Sequence, residues 1–313
     1  MPMPKVGYLL PTRERVMEGR HETASLLALA ERAEGLGFDS LWVGDSLLAR
    51  PRHDALTLLA AVAARTRKPE LGTAVLLPAL RNPVLLAHQV ATLDRIAEGR
   101  VILGIGIASD WPNIRAEFEA AGVTFEKRIG RLIEGMALCR ALWTGKPVTW
   151  DGRWKMKDAV LGPTPHRPGG PPLWIAGAVT AARTRAGKHF DGWFPNSPAI
   201  PDFAPQWAEV QAGARAAGRD PAALTAAMYL TLAIDDDERR ADDKLNAYLE
   251  HYYNMPASET RKRQMSYAGS AAGAAAWLKA YVDAGASHLV LRFAGDHERH
   301  LDAAARIRRD LGW

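Results

Sequence analysis

This sequence has little that suits oxidised, metal-bound or membrane chemistry. Its 313 residues contain one cysteine, Cys139, so no disulfide can form within the chain. Cys139 shares an apolar helical pattern with Leu138, Ala141 and Leu142, the setting of a buried inert thiol rather than a nucleophile. No apolar run approaches the roughly 20 residues that a membrane span needs. Met1–Leu10 lacks the long apolar core and small-residue cleavage site of a secretory leader. We therefore expect a cytoplasmic protein with no membrane partner. The nine histidines are dispersed without H-E-x-x-H spacing, and His297 and His300 beside Glu298 read as a solvated helix face, so no metal is expected. A Walker A loop and a G-x-S-x-G elbow are also missing, which counts against triphosphatases and serine hydrolases.

Charge of one sign is only slightly in excess. Lys and Arg number 40 against 35 Asp and Glu, and they are scattered. The nearest thing to a basic run, Arg261-Lys262-Arg263, is too short for a nucleic-acid stripe. The surplus of five fits either a solvated surface or the capture of a small anion such as a phosphorylated cofactor.

What is present is alternation. Strands are expected at Lys5–Leu10, Phe38–Val43, Glu70–Leu76, Val101–Ile105, Leu173–Ala176, Phe190–Phe194, Leu224–Ile234 and His288–Phe293, each followed by helical sequence. Such alternation implies parallel strands joined by right-handed crossovers. Eight units close a TIM (β/α)8 barrel, with an open doubly wound sheet as the alternative. We expect a single domain over 1–313, with insertions near 144–172 and 251–268. Asp151-Gly152 between apolar runs signals a hairpin in the first insertion. The second, His251–Ala268, is poorly patterned: it reads either as a lid carrying Tyr252, Tyr253 and Met255 or as ordinary surface packing.

In a barrel, chemistry sits at the C-terminal strand ends. Asp45 and Ser46 end the second strand, where an aspartate either serves as an acid–base group or caps a turn. Ala176, Gly177, Ala178, Val179 and Thr180 run from strand into helix through small residues, as either a tight turn or a phosphate cradle. Gly104-Ile105-Gly106-Ile107-Ala108-Ser109 fails the dinucleotide fingerprint because Ser109 takes the place of its last glycine. Small residues such as Gly106 would instead let a flat ring lie at the barrel mouth. Arg292 ends the last strand, in either a surface ion pair or an anion site. Ten tryptophans are many for this length; core packing accounts for most, and a few could wall a ring pocket.

Several segments, in order, resemble the luciferase-like monooxygenase family, whose members use flavin or the deazaflavin F420. They are Ala33-Glu34-Gly35-Leu36-Gly37-Phe38-Asp39 through Asp45, Leu71–Pro78 with Arg81-Asn82-Pro83, Ala91–Asp94 through Gly99-Arg100 to Gly106, Pro172–Gly177, Asp191-Gly192-Trp193 and Ala284-Gly285-Ala286. The likeness spans Lys5 to about Ile307. It implies a TIM barrel, a homodimer and a bound reduced flavin or F420. It also implies a non-proline cis peptide between Ala74 and Val75 behind the cofactor ring, and a cofactor phosphate at Gly177–Thr180. Relatives commonly read Asp-His at the second strand end, where this chain has Asp45-Ser46. Some F420-dependent dehydrogenases carry a glutamate after the fourth strand, where Ser109 and Asp110 stand here, so Asp110 is a candidate substitute.

The resulting expectation is a monooxygenase that uses reduced FMN, supplied by a separate flavin reductase, and oxygen on a small organic substrate. The alternatives are an F420-dependent reductase or dehydrogenase and a non-catalytic flavin-binding protein. F420 carries a polyglutamate tail that Arg or Lys could receive. An aldolase-like barrel would need a Schiff-base lysine at a strand end, and none of the expected ends has one.

Overall fold

A computed structural model of the chain describes residues 3–313; Met1 and Pro2, the start of the segment read for a leader, lie outside the described residues. The strands are β1 (Lys5–Leu9), β2 (Ser40–Val43), β3 (Glu70–Thr73), β4 (Val101–Ile105), β5 (Val148–Asp151), β6 (Lys155–Ala159), β7 (Leu173–Ile175), β8 (Gly192–Trp193), β9 (Thr225–Ile234), β10 (Ser266–Gly269) and β11 (His288–Phe293). They pair in the order β10-β9-β11-β1-β2-β3-β4-β7-β8, with β9 also bonded to β8. That order is a TIM barrel, as the alternation predicts, and the open-sheet alternative falls. All eight expected strands are present. Among the described residues no helix is long and apolar enough to cross a membrane.

The chain divides into two compact units. The first comprises residues up to Leu10, Glu22–Trp42 and Trp174–Trp313. β9 and β11 are buried along nearly their whole length, which fits their largely apolar sequence and leaves their few polar side chains inside the fold. A polar chain crosses this core. Trp42 Nε1 donates to Ser40 Oγ at 2.7 Å, which leaves the serine proton for His288 Nε2, also at 2.7 Å. Trp42 and Trp174 set their rings against His288 at 5.7 and 5.1 Å. Burial, with repulsion from the Lys5 ammonium, pushes the His288 imidazole down to about 3.

A histidine kept neutral in the fold but free to protonate at about 6.5 when unfolded makes the unfolded state bind more protons on acidification. Its stabilising effect is complete above the unfolded value and is lost as pH falls below it. His288 should therefore cost the fold about 2 kcal/mol at pH 5 relative to pH 7. Urea midpoints at both pH values should show the loss in wild type and a shallower one in His288→Gln. Identical pH dependence in the two proteins would contradict it.

The second unit comprises Pro11–His21 and Val43–Leu173. Asp54 caps the helix Ala55–Arg65 by accepting from Thr57 N at 2.9 Å, and Asn82 caps Pro83–Ile96 through Val84 N at 2.9 Å. β5 and β6 form the expected antiparallel hairpin. Cys139 is buried, donates to Pro83 O at 3.3 Å, and burial pushes its thiol up to about 12, which leaves it inert.

Three local expectations shift. β3 stops at Thr73 rather than Leu76, because the chain leaves the ladder at a cis Ala74–Val75 peptide and rejoins it in a bridge from Leu76 to Ile105. The helix Pro112–Ala120 is unforeseen, although Pro112 sits in its first turn and Ile114 and Phe118 mark a buried face. Residues 251–268 are the end of the helix Glu238–Tyr253, a short helix Ala257–Arg261 and β10, which pairs in parallel with β9.

Candidate functional site

In the second unit, Asp45 follows β2 with its side chain 2% exposed. Its carboxylate takes both ends of the Arg81 guanidinium, at 2.7 and 2.9 Å, and the Leu77 N–H at 2.9 Å. The same arginine reaches Asp54 at 3.4 Å. The pair therefore ties the end of β2 to the segment after the Ala74–Val75 peptide. Asp110 is exposed and gripped by Arg115 at 2.6 and 2.8 Å, and Arg115 also holds Glu126 at 2.6 Å. The Arg115 hydrogen bonds keep the Asp110 carboxyl below the usual range. Neither aspartate is placed as a free acid or base.

Ser46, at the position where relatives commonly have histidine, donates to Glu117 Oε1 at 2.7 Å and accepts from Arg50 N at 2.9 Å. The same Glu117 oxygen receives Leu47 N, Leu48 N and Ala49 N at 2.5, 2.8 and 3.3 Å. Glu117 is fully buried and its Oε2 has no hydrogen-bond partner. Sequence reasoning passed over it, although a signal existed: it lies between Ile114 and Phe118 at helical spacing, a carboxylate on an apolar face. Gly106 follows β4, and a Cβ there would stand 2.6 Å from Val75 Cγ2. Its missing side chain makes room for Val75 directly.

In the first unit, β7 leads through Ala176–Val179 into the helix Thr180–His189. Gly177 has φ +111°, open to glycine at little cost, and its carbonyl accepts from Trp193 Nε1 at 2.8 Å. The helix begins without a side-chain cap, and Val179 and Thr180 are exposed. Its first-turn N–H groups, with the helix dipole, suit a phosphate. Arg183, one turn on, donates to Thr180 Oγ1 at 3.0 Å and Glu209 at 2.8 Å, and also bonds Ala178 O. This donor set fits a phosphorylated cofactor. Arg183 was also missed, and its spacing of three from Thr180 was the available signal.

Arg292, near the end of β11, is 1% exposed rather than in a surface pair. It donates to Thr231 Oγ1 through Nε at 3.1 Å and Nη2 at 2.9 Å, and to Tyr253 Oη through Nη1 at 2.8 Å. Tyr229, Tyr248, Tyr252 and Tyr253 place their rings 4.8–5.4 Å from its guanidinium carbon. Tyr252 and Tyr253 are thus built into a packed cluster.

The profile of the luciferase-like monooxygenase family matches residues 3–312. An F420-dependent glucose-6-phosphate dehydrogenase of Amycolatopsis mediterranei (strain U-32) is 31% identical over 329 residues, covering 96% of each chain. Among solved structures, an F420-dependent secondary alcohol dehydrogenase in complex with an F420-acetone adduct aligns with TM-score 0.80 at 23% identity, over 97% of this chain and 98% of that one. A monooxygenase of Streptomyces bottropensis aligns with TM-score 0.80 at 21% identity, over 98% of both. These two structural likenesses concern the fold alone.

Proposed function

The chain belongs to the luciferase-like monooxygenase family, and from that premise we propose that it is an F420-dependent reductase or dehydrogenase of a small organic substrate. The observation that carries this reading is the end-to-end likeness to an F420-dependent dehydrogenase. It reverses the order expected from the residues, which put reduced FMN first. When bound, F420 supplies two electrons and a hydrogen to a carbonyl carbon, or takes them from an alcohol.

On this reading the uncapped start of Thr180–His189 receives the cofactor phosphate through backbone N–H groups from Gly177 onward and the Thr180 hydroxyl. Arg183 adds positive charge there and orients Thr180. Trp193 fixes the turn by holding the Gly177 carbonyl. In the other unit, Ala74, Val75 and Gly106 remain the ring-supporting candidates. Asp45 and Asp110 are assigned structural ion pairs instead of proton transfer. A sugar phosphate is not assigned as substrate, since Asp110 is held by Arg115 and offers no unpaired carboxylate.

Anaerobic fluorescence titration with F420, FMN and reduced FMN tests this. F420 should bind selectively, and Arg183→Met with Thr180→Ala should weaken it on the order of tenfold, a loss of about 1.4 kcal/mol. Added salt should weaken wild-type binding as well. Selective binding of reduced FMN would overturn the F420 reading in favour of the monooxygenase.

A further inference from the structure

A fully buried guanidinium usually has a carboxylate beside it, because an unpaired interior charge is costly. Arg292 has none among the described residues; its partners are hydroxyl oxygens and tyrosine faces. Burial alone would loosen its proton, but attraction to Tyr229, Tyr253, Tyr248 and Tyr252 outweighs this and the guanidinium stays charged. Those four tyrosines, from β9 and from the helix Glu238–Tyr253, are the titratable groups gathered at this cation.

The hydrogen bonds around it form a ring. Tyr253 Oη accepts from Arg292 and donates to Gln264 Oε1 at 2.7 Å. Gln264 Nε2 donates to Thr231 Oγ1 at 3.3 Å, and Thr231 Oγ1 accepts from Arg292. Thr231 and Gln264 are 0% and 3% exposed, whereas Tyr253 is half-buried. Tyr253 is thus the ring member nearest to exchange with a ligand or water. The ring also closes after Tyr253 loses its proton. With the Gln264 amide turned over, its NH2 donates to the phenolate, and the Thr231 hydroxyl donates to the amide oxygen. The Tyr253 oxygen keeps Gln264 and Arg292 as partners in both protonation states, and Arg292 faces the phenolate with an unpaired positive charge. Arg292 lies at the C-terminal end of its strand, opposite Thr231 in the register of β9, where barrel enzymes place their chemistry.

The geometry points to Tyr253 as the proton donor of the reaction, with Arg292, Gln264 and Thr231 as residues that position it and hold its phenolate. The inference rests on the F420 reading for its chemistry. In carbonyl reduction bound F420 would supply the hydride to the carbonyl carbon, and the C=O π electrons would pass to the oxygen, which then needs a proton. Tyr253 gives its proton to that oxygen, an alcohol forms, and the phenolate is reprotonated from water; alcohol oxidation runs the steps in reverse.

The test begins with anaerobic F420 fluorescence titration of the full chain, in which Tyr253→Phe and Gln264→Met should both bind as tightly as wild type. With reduced F420 and a carbonyl substrate, Tyr253→Phe should lower kcat on the order of 10²–10⁴-fold, with KM little changed. Gln264→Met, which keeps Tyr253 but removes the reversible amide, should lower kcat by less, again at unchanged F420 affinity. An unchanged kcat in Tyr253→Phe, or a loss of activity that only follows weakened F420 binding, would overturn the inference. Failure of F420 to bind or turn over in wild type would sink the cofactor reading and this inference with it.

Discussion

Replacing Asp45 with alanine should destabilise the fold by about 3–5 kcal/mol, the usual loss when one partner of a buried ion pair is removed. The change leaves the Arg81 guanidinium, 14% exposed, without its bidentate acceptor and leaves the Leu77 N–H unsatisfied. The distant Asp54 contact at 3.4 Å cannot replace two bonds of 2.7 and 2.9 Å. If the pair acts as a unit, Asp45→Ala with Arg81→Met should cost clearly less than the sum of Asp45→Ala and Arg81→Met made singly. Urea denaturation of the three variants measures this directly. Additive losses would show that the two side chains stabilise the strand ends independently. A loss of activity without a loss of stability in Asp45→Ala would return Asp45 to the chemistry.

Glu117→Leu should cost about 3 kcal/mol or more. One carboxylate oxygen accepts the Ser46 hydroxyl and the N–H groups of Leu47, Leu48 and Ala49, and bonds to a charged acceptor are the stronger kind. Leucine fits the apolar face between Ile114 and Phe118 but strands those donors. Glu117→Gln keeps an acceptor oxygen toward the loop and removes a buried charge whose Oε2 has no partner, so its loss should fall between wild type and the leucine variant. Hydrogen exchange of the Leu47, Leu48 and Ala49 amides should accelerate in Glu117→Leu before global unfolding. Unaltered exchange would mean that the loop holds its shape without the carboxylate.

The barrel was legible because its signals are local. Val101–Ile105 appears with the bounds its apolar run suggests, as expected of a strand covered on both faces, and His288–Phe293 keeps its expected bounds although it carries the buried His288 and Arg292. The Asp151-Gly152 hairpin and the first-turn Pro83 follow from turn and helix-end chemistry within a few residues. Where local pattern failed, long-range pairing had overridden it. Residues 251–268 look irregular in sequence because β10 is held by β9 from a distant part of the chain and not by alternation of its own.

The sequence by itself therefore determined the family, the eight parallel strands and the inert character of Cys139. Only the tertiary structure decided which charges meet. Asp45 finds Arg81 across 36 residues, Ser46 finds Glu117 across 71, and Arg292 finds Thr231 across 61. Periodicity reports which face of a strand or helix is buried, because that depends on residues two to four apart. It carries no record of which distant side chain occupies the other side of the contact. The role of an ionisable group is set by that partner and by its exclusion from water, so Asp45, Asp110, Glu117 and Arg292 became readable only in the fold.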